Sequence, residues 1–209
     1  SLGTSSNGVL GRDAVSPVSG TTDIPGQGTF SWSITPIETA YGADAAIGND
    51  RWNDQKFRIE IQAPSGLDQL DLSLSSTLNQ GLNDESWAIS DFSLQPLSLD
   101  SLPTSNDSSQ DSSDPLKGWS LDSSSSSKWG DLLGRFSTEN LSKSFSLDGQ
   151  PASIAFDFIR VDSWDGEAFV IKSGDHVLLS QRFSFGASSN GVIGGDAVSP
   201  VSGSTDIPG

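Results

Sequence analysis

Phe156-Asp157-Phe158-Ile159-Arg160-Val161-Asp162-Ser163-Trp164-Asp165-Gly166-Glu167, followed at once by Phe169-Val170-Ile171, is the stretch on which the reading of this chain turns. Ile154, Phe156 and Phe158 recur at every second position, the period of a strand with one buried face. Three carboxylates, Asp162, Asp165 and Glu167, then fall within six residues around a glycine turn. Nothing basic lies inside that loop, so either solvent screens its charge or a hard cation offsets it. The expectation is a tight acidic loop between two strands, with a Ca2+ site at the corner of a β-sandwich.

The same two-residue period runs through the rest of the chain, and helical periodicity is almost absent. Phe30/Trp32/Ile34 alternate up to Pro36, then Phe57/Ile59/Ile61 and Leu70/Leu72/Leu74. Trp87/Ile89 open a further strand, and the shift of Phe92 and Leu94 by one residue predicts a bulge near Ser90-Asp91. Leu133, Arg135 and Phe136, then Phe145/Leu147, Phe169/Ile171 and Val177/Leu179 continue the pattern towards Phe183. Short strands separated by Gly, Asp, Asn and Ser turns, each with one wet face, predict an all-β fold, an antiparallel β-sandwich of jelly-roll or lectin-like type. Gly186–Gly209 lacks alternation and is expected to be a long loop, with at most a short strand at Asp196-Ala197-Val198.

Residues 1–26 and 184–209 are near copies, differing at 5 of 26 positions: Leu2/Phe185, Thr4/Ala187, Leu10/Ile193, Arg12/Gly195 and Thr21/Ser204. Their offset of 184 − 1 = 183 residues is too long for a solenoid of small units and marks whole domains in series. Between the copies, residues 98–127 hold 13 Ser and 5 Asp among 30, a composition that cannot bury enough apolar surface to fold alone. That places a Ser/Asp-rich linker at 98–117. Residues 1–97 then read as the rear half of one repeat unit and 118–209 as the front half of the next, a repeat cut in mid-domain.

Lysine and arginine number 11 against 27 acidic residues, so the net charge is 11 − 27 = −16. Such a surface repels nucleic acid and anionic membranes and attracts cations. Without cysteine there is no disulfide framework, thiolate metal site or cysteine nucleophile. No apolar run approaches the roughly 20 residues a membrane-spanning helix requires, and no signal peptide opens the chain. Methionine is absent as well, which suggests an internal piece of a longer polypeptide.

Asn83-Asp84-Glu85-Ser86-Trp87 is a second acidic turn beside a tryptophan. Calcium takes about 6–8 oxygens, more than either loop offers. If the two loops meet at one edge of the sandwich, Asp162, Asp165, Glu167, Asp84 and Glu85 with backbone carbonyls would supply them. The competing reading is two ordinary solvated turns, which an acidic chain has in plenty. Charge density and the pairing with Trp87 and Trp164 weigh against it. Gly48-Asn49-Asp50-Arg51-Trp52-Asn53-Asp54 ranks lower because Arg51 neutralises its neighbours.

The run from Phe156 to Glu167, with Asn83-Asp84-Glu85-Ser86-Trp87-Ala88-Ile89-Ser90-Asp91-Phe92, resembles a tandem-repeat "DSWDGE" module. That module looks like one found in large calcium-binding surface and adhesin proteins of bacteria, marine cyanobacteria included. The resemblance covers most of 119–183 and 55–97; it is specific at the two acidic loops and vague elsewhere. In such sequences the "DSWDGE" segment precedes its partner, the reverse of the order here, and glycine usually stands where this chain has Ala88. The resemblance implies a lectin-like sandwich with structural Ca2+, and no particular ligand.

Enzymatic readings find little to stand on. Glu60 lies on a strand between Arg58 and Gln62, an ordinary polar face rather than one of a pair of glycosidase carboxylates. His176, the sole histidine, flanks a Gly174-Asp175 turn, and neither a Gly-x-Ser-x-Gly elbow nor a phosphate-binding glycine loop is present. The expectation is a non-enzymatic structural repeat of a long extracellular fibre or adhesin at a cell surface, its partners neighbouring copies of itself. The alternative is a carbohydrate-binding module that stacks glycans on Trp32, Trp52, Trp119 or Trp129, unless these plug the sandwich ends.

Overall fold

Alternation in the sequence becomes two packed sheets. The computed structural model describes residues 9–10, 17–40, 47, 54–97 and 116–184. Among them the strands are β1 (Val9–Leu10), β2 (Val18–Ile24), β3 (Gly28–Ala40), β4 (Asp54–Ala63), β5 (Gln69–Ser76) and β6 (Glu85–Pro96). After the serine-rich segment come β7 (Ser124–Ser127), β8 (Gly130–Phe136), β9 (Leu141–Ser146), β10 (Ala152–Asp162), β11 (Asp165–Ser173) and β12 (His176–Ser184). One sheet runs β2-β3-β4-β10-β6-β8-β7 and the other β1-β12-β11-β5-β9. All pairings are antiparallel except that of β1 with β12. The protein is an all-β sandwich. No helix among the described residues is long and apolar enough to cross a membrane.

Strands from either side of the serine-rich segment share both sheets. In the larger one β10 lies between β4 and β6, with Phe158 opposite Phe57 on one side and Ile89 on the other. In the smaller one β5 lies between β9 and β11. The described strands on the two sides of that segment thus form one sandwich within this chain, while most of the expected 98–117 linker lies outside the described residues. So do the 186–209 segment with its expected strand at Asp196–Val198, and Trp52.

The core is aromatic. Phe158 stacks on Phe169 of the opposite sheet with centroids 4.1 Å apart, and Phe183, Trp164 and Phe57 surround it at 5.0, 5.7 and 6.1 Å. Trp32 and Trp119, expected either at the surface or as end plugs, are buried, and Trp129 is half-buried with the Lys128 ammonium 5.7 Å from its ring. Glu60 and His176 are exposed.

Several elements depart from the sequence pattern for identifiable reasons. β3 continues past Pro36 to Ala40, and its pairing with β2 among the described residues stops at Ile34, short of the proline, which has no N–H to donate. The bulge expected in β6 is present: Ser90 and Ser93 flank a register shift opposite Asp157 and Ala155, and Asp91 takes φ 49°. In β12 a register shift exposes Val177 and buries both Leu178 and Leu179. β10 has no wet face: Ile159 and Val161 pack with Ala88 and Leu132, and Asp157 is held by Lys56 at 2.7 Å and Arg58 at 3.0 Å.

Because Phe158 touches rings from both sheets, Phe158→Ala is expected to lower unfolding stability by about 3–5 kcal/mol. Val177→Ser, at an exposed position, should stay within about 0.5 kcal/mol of the parent. Urea denaturation of the two variants side by side checks both.

Candidate metal centre

The two acidic loops meet at one edge of the sandwich, each placed there by its strand. Glu85 opens β6 directly opposite Asp162, the last residue of β10. The 162–167 loop is then fastened onto the 84–86 turn: Ser163 donates its backbone N–H to the Asp84 carbonyl at 3.2 Å, and the Trp164 indole N–H donates to the Ser86 carbonyl at 2.9 Å. The Ser163 hydroxyl adds a bond to the Asp84 carboxylate at 3.2 Å. Trp164 is fully buried, so the tryptophan beside the acids anchors their loop in the core.

Of the five carboxylates singled out by sequence, three converge. Ligand oxygens of Glu85, Asp165 and Glu167 lie within 4.8 Å of one another. Glu85 comes from the larger sheet and the other two from the start of β11 in the smaller one, so the cluster bridges the sandwich. Asp165 is exposed and Glu167 half-buried, which leaves one side open to water. The Asp165 backbone N–H donates to a Glu167 oxygen at 2.7 Å, fixing one acid against the other.

Glu85 is the unusual member. It is completely buried, and neither carboxylate oxygen has a hydrogen-bond partner among the described residues. Burial, then the charges of Glu167, Asp165 and Asp84, push its carboxyl up to about 7. Burial and the hydrogen bond with Asp165 also raise Glu167. A desolvated carboxylate facing two more acids costs free energy unless it is protonated or a cation sits among them. The three acids could hold a metal ion. With oxygen donors only, the set suits a hard cation.

The other two acids stand apart. Asp84 is exposed and holds Ser163. Asp162 turns into the protein with φ 62°, its carboxylate 3.5 Å from the Arg135 guanidinium and its N–H on Asp54 at 3.3 Å. Arg135 also bonds the Ser86 hydroxyl at 2.9 Å and the Leu82 carbonyl. It reaches this corner because the β6–β8 register shifts between Trp87 and Ala88. Sequence offered no sign of it, since Arg135 lies 27 residues before Asp162 on a different strand. Asp54 is wholly buried, accepts the Ile47 N–H at 2.6 Å, and is pushed up to about 6 by burial. It closes the stretch that ranked third by sequence; Gly48–Asn53 lie outside the described residues.

Compared with known proteins, the chain matches no family model and no curated sequence.

Without divalent ions, the raised carboxyls dictate the pH response. A group whose folded pKa exceeds its unfolded value contributes stability below the unfolded value and loses it as pH rises through the folded one. For Glu85 that window runs from 4.5 to about 7, and for Asp54 from 3.8 to about 6. Stability in chelator is therefore expected to fall between those limits, and Glu85→Gln to flatten the upper part of the fall. Urea midpoints measured across this pH range check it; a flat profile in the parent would mean that Glu85 is not desolvated.

Proposed function

We propose that this protein is a structural repeat of a long extracellular surface fibre or adhesin, stiffened by Ca2+ at the Glu85–Asp165–Glu167 corner. The observation that carries the reading is Glu85, a fully buried carboxylate with no hydrogen-bond partner among the described residues, set against two further acids from the opposite sheet. A cation there ties β6 to β11 and so locks the two sheets at one end. Asp165 and Glu167 reach it from the first residues of β11, and the exposed Asp165 leaves room for water ligands. An irregular set of oxygen donors completed by water suits the adaptable coordination of Ca2+ better than the rigid octahedron of Mg2+. The net charge of −16 repels successive units, and bound calcium lowers it. The near-identical segments 183 residues apart support assembly in tandem. Glycan stacking draws less support, because Trp32 and Trp119 are core residues.

Calcium at a hundredfold excess over its dissociation constant adds about 2.7 kcal/mol, a rise of about 5–10 °C in a domain of this size. Thermal melts in calcium and in chelator should differ by that amount in the parent. Glu85→Gln should abolish the difference while raising the melting temperature in chelator. If the substitution stabilises equally in both buffers, no cation binds at Glu85. Single-molecule extension tests the mechanical role, with a lower unfolding force expected in chelator, and a glycan array that returned specific binding would favour the module reading.

A further inference from the structure

The first copy of the repeated segment supplies two strands of the sandwich. In the first copy, Val9-Leu10 forms β1 and lies parallel to Arg182-Phe183 of β12. Val18–Ile24 forms β2, the edge strand paired with Gly28–Ile34 of β3. Along β2 the positions Val18, Gly20, Thr22 and Ile24 are covered, while Ser19, Thr21 and Asp23 face out. Each covered position has a task. Gly20 lies under the Trp32 ring so closely that an added Cβ would fall 2.6 Å from it. Thr22 donates to the Leu178 carbonyl of β12 at 2.7 Å and accepts the Trp32 indole N–H at 3.3 Å. Ile24 is a core residue.

The second copy keeps all of these. Val201, Gly203, Thr205 and Ile207 stand where Val18, Gly20, Thr22 and Ile24 do, and the one change along the strand, Thr21 to Ser204, falls on an outward position. At β1 the pair Val9-Leu10 becomes Val192-Ile193, equally apolar. The second copy therefore keeps the residues that make the contacts of β2 and an apolar pair at β1, and this sandwich already has both strands. Nor can it serve its own β12 in the same way. Only eight residues, 184–191, separate Phe183 from Val192, whereas a parallel crossover takes about a dozen or more.

We infer that residues 184–209 are the β1–β2 pair of a neighbouring copy of this sandwich, with Val192-Ile193 along that copy's β12 and Val201–Ile207 along its β3. The structural unit is then one 183-residue period that opens at β1 and closes at β12, and the junction between units falls at Ser184 rather than in the serine-rich segment. The partner is a second sandwich of this same sequence, engaged by strand addition at two sheet edges. This deepens the tandem assembly proposed above and does not depend on its cation.

Substitutions in the full chain test it. Gly20→Val drives a side chain into Trp32 and vacates the β2 position. The chain is then expected to associate, its 184–209 segment filling the gap in the next molecule, with average mass in sedimentation rising to double or more across a concentration series. Gly203→Val alone should stay monomeric like the parent, whose own first copy is held beside β3 by a short turn and outcompetes a second molecule. The double variant should not associate. A folded, monomeric Gly20→Val chain overturns the inference, as does equal association of the double variant. Should Gly20→Val fail to fold, refolding it with excess synthetic 184–209 peptide is expected to restore the parent's near-ultraviolet signal; no recovery would also overturn it. Running the series in calcium and in chelator separates this from the metal centre, since association is expected in both.

Discussion

Strand β10 is hydrogen-bonded along both edges, to β4 on one side and β6 on the other, and the rest of the sandwich is arranged to make that possible. A strand in that position must satisfy its backbone through neighbours and bury side chains on both faces. Towards the smaller sheet it offers Ile154, Phe156 and Phe158; on its other face it carries Asp157, Ile159 and Val161. The apolar pair finds Ala88 and Leu132, and Asp157 finds Lys56 and Arg58. Because β4 and β6 precede the serine-rich segment and β10 follows it, this pairing also joins the two parts of the chain.

At the far end of β10 the same constraint produces the acidic corner. Antiparallel register sets Asp162 opposite Glu85, and two carboxylates cannot both point into a desolvated edge without help. The fold separates them. Asp162 takes a left-handed backbone conformation and turns to Arg135, while Glu85 is left facing Asp165 and Glu167. One acid is neutralised from within the protein, and the other is held where only a proton or a cation can neutralise it. Trp164 fixes the loop that makes the difference, its indole N–H on the Ser86 carbonyl and its ring against Phe158.

Much of this was legible in the residue pattern. Alternation of large apolar residues marked β3, β4, β5, β6, β10 and β11, since a strand with a strong apolar face advertises its period. The one-residue slip from Ile89 to Phe92 marked the bulge, and acid–turn–tryptophan marked both loops that meet at the corner. Strands without an apolar face of their own left no such mark. β7 is four serines, held by pairing with β8 and by hydroxyls of Ser125 and Ser127 on β8 carbonyls. β2 presents a glycine and a threonine inward because Trp32 of its neighbour supplies the bulk.

Sequence by itself determined the all-β class, the two acidic loops and the 183-residue repeat, because each is written in local spacing or in direct identity. Tertiary structure alone decided which acids face one another, that Arg135 takes Asp162 out of the cluster, and that the first copy of the repeated segment supplies two edge strands. Those outcomes depend on register and on approach between strands far apart in the chain. A shift of one residue in β6, β8 or β11 would redirect every side chain at the corner, and no local pattern encodes that choice.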